Sequence, residues 1–169
     1  MGPLSGYRII ELGGLGPVPM CGMLLADLGA EVIVVERPGV AEIGVDPTQA
    51  IERRGKRSLE LNLKDANSAE IILKLVGTSD AIIEGFRPGV AERLGLGPEH
   101  CMAHNPKLVY GRVTGWGQDG PLSQTAGHDI NYIALAGALH AIGPTDGPPL
   151  PPLNLVGDYG GGAMYLACG

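Results

Sequence analysis

Residues 31–36, EVIVVE, constrain the fold more than any other stretch. Val32, Ile33, Val34 and Val35 form an unbroken β-branched run, which needs apolar cover on both faces and so reads as a buried parallel strand. A parallel strand needs a crossover from another strand, and the sequence just upstream supplies one. RIIEL (Arg8–Leu12) is a short apolar run, GGLGPVP (13–19) is a turn, and Met20–Leu28 reads as a helix stopped by Gly29. Strand, glycine turn, helix, strand is a βαβ unit. The alternation continues. LELNLK (Leu59–Lys64) alternates like a short strand, and Asp65 or Asn67 can cap a helix running to Val76, which Gly77 ends. DAIIEGF (Asp80–Phe86) and LVYGRVT (Leu108–Thr114) are further strands, with short helical turns between them. The expectation is one α/β domain of three layers around a mainly parallel sheet.

Ligands of such sheets bind beyond the carboxyl ends of the strands. The loops there are GGLGPVP, ERPG, EGFRPG and TGWGQDGP, which bring Arg37, Arg87 and Arg93 together with many backbone N–H groups. A phosphate pocket is one reading, and surface ion pairs are the other. The first turn departs from the dinucleotide fingerprint, because Pro19 stands where a third glycine belongs. Glu36, after the second strand, is followed at once by Arg37, which suits a phosphate better than a bare ribose. Residues 37–58 read as irregular and polar. Within them ERRGKRS (Glu52–Ser58) is the densest basic run, either a solvated loop or an anion site.

That basic run stands out because the chain as a whole is acidic, with a formal charge of -6. The balance argues against nucleic acid as a partner. Cys21, Cys101 and Cys168 are widely spaced and odd in number, so neither a disulfide framework nor a zinc site is expected. They read as small buried residues of a cytoplasmic protein. The start, MGPLSGYRIIEL, has no signal-peptide pattern, and no run reaches the roughly 18 apolar residues of a membrane span.

Two polar residues stand out in glycine settings. His128, in AGHDINY, begins a helical pattern in which Ile130, Ile133, Ala134 and Gly137 recur on one face. At a helix N-terminus an imidazole tends to stay neutral and able to act as a base, though a plain capping role is the more ordinary reading of a lone histidine there. Asp158, in NLVGDYGGG, reads as a helix N-cap, yet three glycines after it allow close approach of a ligand or backbone. Asp129 competes with Asp158 as the functional carboxylate.

ERPG, EGFRPGVAERLGLG, VYGRVTGWGQDGP, AGHDINY and PPLNLVGDYGGG together resemble the class III CoA transferases and racemases, specifically their α-methylacyl-CoA racemase branch. The resemblance runs from PLSGYRIIEL to the last residue. It implies a Rossmann-like catalytic domain, a 2-methylacyl-CoA substrate, an interlocked homodimer for the full-length family member, and no metal or organic cofactor. It also implies that His128 and Asp158 are the acid/base pair, His128 on the S face and Asp158 on the R face. CoA contacts would come from Arg37, Leu61, Asn62, Leu63, Lys64, Gly85, Phe86, Arg87 and Arg93. The thioester would be held by Gly127, Asp129, Ile130, Asn131 and Tyr132.

The reaction implied is epimerisation at C2 by proton transfer through an enolate. The runner-up is a CoA transferase in which Asp158 attacks the thioester carbonyl. Members of the racemase branch are roughly twice this length, and GGGAMYLACG stops without a polar tail. Residues 1–169 are therefore expected to be the N-terminal part of the large CoA-binding domain, lacking the second, small domain. A third possibility follows: a remnant that is weakly active or inactive by itself.

Overall fold

In the computed structural model, which describes residues 2–39 and 50–169, EVIVVE is strand β2 (Glu31–Glu36) and lies inside a five-stranded sheet. The strands are β1 (Arg8–Leu12), β2, β3 (Lys56–Glu60), β4 (Ala81–Glu84) and β5 (Val109–Arg112). They pair in the order β3-β2-β1-β4-β5, and every pairing is parallel. The sequence leads to a mainly parallel sheet; among the described residues it is wholly parallel.

Helices cover both faces, as the unbroken apolar run of β2 demands. Helix α1 (Pro17–Asp27) packs on one face, where Ile9, Val32 and Ile83 meet Val18, Cys21 and Leu25. Helices α2 (Ala66–Val76) and α4 (Pro98–His104) cover the other, where Ile10, Leu12, Val35 and Ile82 meet Ile72, Val76 and Cys101. Successive residues of each central strand thus serve opposite cores, the period of two expected of a pleat. A single turn, α3 (Val90–Arg93), links β4 to α4. After β5 come α5 (Asp129–Leu135), a π-helical segment (Leu155–Ala163) and α6 (Met164–Cys168). The π-helical segment and α6 lie against α1, and Ala163 joins the core there.

The strand order explains where the site lies. From β1 the chain moves outward to β2 and β3, then crosses back to β4 on the other side of β1. Right-handed crossovers in opposite directions place α1 and α2 on opposite faces. The loops after β1 and β4 consequently part, leaving a crevice at their carboxyl ends.

Several local expectations need correction. Helix α1 starts at Pro17, three residues before Met20, because proline needs no N–H donor in a first turn. The strand expected at Leu59–Lys64 is Lys56–Glu60, in register from Val32↔Lys56 to Glu36↔Glu60. The alternation misleads because Leu59, Leu61 and Leu63 all rest against the core, although only Leu59 is in the strand. Asp65 occupies the N-cap position of α2, but its carboxylate accepts from Asn62 Nδ2 at 3.0 Å. The buried stripe expected on α5 reduces to Ile133, since Ile130 is 44% exposed. The irregular, polar reading of residues 37–58 falls partly on residues 40–49, outside the described residues.

Candidate active site

The Gly13–Gly16 turn after β1 and the Gly85–Pro88 loop after β4 form two walls of a cleft of about 640 Å³. The stretch after β5 and the start of α5 form a third, bringing Trp116, His128 and Tyr132 to the same space. The π-helical segment closes it with Asp158. His128 and Asp158, 30 residues apart, thus line one cavity at the crossover point of the sheet.

His128 is the N-cap residue of α5, in extended conformation with φ -136° and ψ 169°. Its backbone N–H donates to Asn131 Oδ1 at 2.9 Å, and the Asn131 N–H donates to the His128 carbonyl at 2.8 Å. The backbone is locked from both directions while the imidazole stays exposed. Asp158 is not an N-cap. Asn154 holds that position, and Asp158 lies in the first turn of the π-helical segment. Wide turns of this kind recur at functional sites because they re-aim side chains that an α-helix would space regularly. A methyl at Gly16 would sit 3.2 Å from Asp158 Oδ2, and Gly16 has φ 72°, so both space and backbone favour glycine there.

Burial raises the Asp158 pKa above that of an ordinary carboxylate, and the nearby Asp129 charge raises it further, while His128 acts in the opposite direction. Asp158 therefore holds a proton to higher pH than an exposed aspartate does. Asp129 is 3% exposed. Its Oδ2 accepts the backbone N–H groups of Gly157 at 2.5 Å and Asp158 at 2.7 Å.

Trp116 and Tyr132 meet edge to face, with centroids 4.9 Å apart at 80°. Gly115 and Gly127 make room for them. A methyl at Gly115 would overlap the Tyr132 ring, and one at Gly127 would lie 2.6 Å from Tyr132 Cε1 and 2.7 Å from Trp116 Nε1. Gly127→Ala is expected to force this pair apart and destabilise the fold by roughly 1–3 kcal/mol, the usual range for overpacking. Trp116 is the sole tryptophan, so intrinsic fluorescence reads the displacement directly.

The residues implied as CoA contacts divide between two cavities. Arg37, Leu63 and Phe86 line a second one, of about 420 Å³, which shares Gly14 and Leu15 with the cleft. Gly85 and Arg87 line the cleft itself, as do Gly127 and Tyr132. Arg93 ends α3 and is exposed, as is Lys64. Leu61 rests partly against the core, and Asn62 builds the turn before α2. Ile130 is exposed, and Asn131 is committed to the His128 backbone.

The basic run does not present a free anion site, because each cation within it meets a carboxylate. Arg53 grips Glu36 through two bonds of 2.6 and 2.8 Å, and Ser58 donates to the same carboxylate. Desolvation would raise the Glu36 pKa, but these donors outweigh it and hold Glu36 below its ordinary value. Arg54 pairs with Asp27, Arg57 with Glu31, and Lys56 with Glu11.

Two buried glutamates were not among the residues singled out from sequence. Glu11 ends in a pair with Lys56 at 2.6 Å, both side chains at most 3% exposed. Glu84 accepts the Phe86 N–H at 2.6 Å and Arg112 Nε at 2.7 Å, shaping the loop that carries Gly85 and Arg87. Burial raises its pKa, against the Phe86 and Arg112 contacts. The available signal was a glutamate at the end of an apolar strand, in RIIEL and again in AIIE.

Comparison with known proteins matches this architecture. The mouse α-methylacyl-CoA racemase is 47% identical over 166 residues, which is 98% of this chain and 42% of that protein. The human succinyl-CoA:glutarate CoA-transferase is 38% identical, over 89% of this chain and 36% of its own length. The crystal structure of a CaiB/BaiF family protein from Brucella suis matches with a TM-score of 0.87 at 29% identity, over 99% of this chain and 48% of that one. The chain thus spans less than half the length of these relatives. The model of CoA-transferase family III matches residues 4–169, and the chain belongs to that family.

Proposed function

We propose that the chain carries the acid/base half of an isomerase that epimerises C2 of 2-methylacyl-CoA thioesters. The observation that carries this reading is the presence of His128 and Asp158 on one cleft, beside loops bearing Gly85 and Arg87. The 47% identity to a racemase supports it. The C2 hydrogen is acidic because the thioester carbonyl stabilises the enolate. His128, exposed on the cleft, removes the proton from the S face. Asp158, which burial keeps protonated to higher pH, returns one to the R face, and the roles reverse for the other epimer. The backbone N–H of Asp129, at the start of α5, serves the enolate oxygen, a contact typically worth about 3 kcal/mol. CoA is part of the substrate and no cofactor takes part. A homodimer is the working assembly, and the cytoplasm is the compartment. Among the described residues no helix is long and apolar enough to cross a membrane.

The second reading, acyl transfer with Asp158 as nucleophile, draws support from the succinyl-CoA:glutarate relative. His128 argues against it, since transfer needs no base on the opposite face. Incubating one epimer of a 2-methylacyl-CoA in deuterated water separates the two. Epimerisation with deuterium at C2 is expected, whereas acyl exchange onto a free acid without C2 label would overturn the racemase reading.

Arg37 and Arg87 are assigned to the CoA phosphates, on the strength of their exposure at the two cavities. Arg37→Ala and Arg87→Ala are each expected to weaken CoA binding, with a loss that shrinks as salt is raised. Calorimetric titration with CoA at two ionic strengths checks this. Unchanged affinity in both variants would remove the assignment.

A further inference from the structure

We infer that Asp129 is a positioning residue that fixes Asp158 against the start of α5 and keeps a negative charge beside it. The inference rests on the acid/base reading of His128 and Asp158. It gives Asp129 a side-chain role distinct from the backbone contact to substrate assigned above.

The geometry is specific. Asp129 directly follows His128, so its backbone belongs to the base's side of the cleft. Its carboxylate reaches across to the other side, and a single oxygen, Oδ2, takes both the Gly157 and the Asp158 N–H groups. One residue therefore sets the distance between the two catalytic candidates. Gly157 is shaped around this contact, because a methyl there would lie 3.0 Å from Asp129 Oδ2 and 3.1 Å from Cγ. The second carboxylate oxygen, Oδ1, is buried without a hydrogen-bond partner among the described residues. An acceptor left unsatisfied at 3% exposure destabilises the fold, and asparagine would keep an acceptor for the same two N–H groups without a charge to bury. What the carboxylate adds over asparagine is its charge.

That charge acts on Asp158. The groups facing Asp158 are His128, Asp129 and Tyr132 from α5 and Tyr159 from its own segment. The start of α1 brings Gly16 and Pro17, which carry none. Burial is the main reason the Asp158 pKa is raised, Asp129 reinforces the shift, and His128 opposes it. The arrangement suits a residue that must donate a proton to an enolate and then take one back.

Asp129→Asn and Asp129→Ala test this by two readouts. The first is carboxyl carbon NMR titration of Asp158, its resonance assigned with Asp158→Asn. Both variants are expected to lower the Asp158 midpoint, because each removes the neighbouring charge. The second is epimerisation. Asp129→Ala is expected to lower kcat about 100-fold, the scale of a displacement near 1 Å, with KM little changed. Asp129→Asn keeps an acceptor for the two N–H groups and is expected to recover part of that loss. Gly157→Ala, which crowds the same contact without removing charge, is expected to lower kcat and leave Asp129 in place should the other variants fold poorly. An Asp158 midpoint unmoved in Asp129→Asn, or kcat unmoved in both Asp129→Ala and Gly157→Ala, would overturn the inference. If the unmodified chain does not epimerise, as an inactive remnant would not, the titration alone decides whether Asp129 governs Asp158, and an unmoved midpoint overturns the inference.

Discussion

His128→Ala and Asp158→Ala are each expected to lower kcat for epimerisation by about 10²–10⁴-fold, the usual contribution of one positioned acid or base. CoA affinity should stay near that of the unmodified protein, because neither side chain is among the groups assigned to the CoA phosphates, Arg37 and Arg87. The double variant is expected to lose little more than the weaker single variant, since a proton removed on one face is useless without a donor on the other. Steady-state kinetics with both epimers, alongside CoA titration, measures each quantity. A loss expressed only in KM would place these residues in binding rather than proton transfer.

The second large effect concerns stability. Lys56→Ala is expected to destabilise the fold by about 3–5 kcal/mol, read as a lowered urea midpoint with unchanged slope. Lys56 Nζ donates to Glu11 Oε2 at 2.6 Å and to the Pro19 carbonyl at 2.8 Å, and the two side chains are 3% and 2% exposed. Removing the ammonium takes away the cation that meets the interior Glu11 carboxylate at 2.6 Å. It also frees the first turn of α1, which follows the Gly13–Gly16 turn of the cleft. Replacing both partners, Glu11→Met with Lys56→Met, should restore most of the stability, because both members of the buried ion pair are then removed together. Gly22 fits this account, since a methyl there would overlap the Glu11 carboxylate.

Much of the fold was legible because its signals are local and redundant. The β-branched run of β2 demands cover on both faces, Gly29 and Gly77 mark the ends of α1 and α2, and parallel pairing follows from the alternation of strand and helix. β3 was displaced because its alternation belongs to contacts with the core that continue past the strand, and only pairing with β2 fixes its register. The setting of Asp158 was misread for a related reason. A π-helical turn arises from packing against α1 and α5, and no pattern in NLVGDYGGG announces it. The basic run ERRGKRS looked like a candidate anion site because its partners, Asp27, Glu31, Glu36 and Glu11, lie far away in sequence. His128 was more accessible to sequence reasoning, since an N-cap position depends on the few residues that follow it. The role of Asp129 was hidden, because its contacts with Gly157 and Asp158 form only when two distant segments meet.

The central claim is that His128 and Asp158 stand on opposite faces of one carbon. Isotope exchange with the one-sided variants in deuterated water tests it most directly. Asp158→Ala should introduce deuterium at C2 of the 2S epimer with retention, because His128 can still remove and return a proton on its own face. It should leave the 2R epimer unlabelled, and His128→Ala should show the reverse preference. Exchange of both epimers by either variant, or of neither epimer by both, would contradict the account.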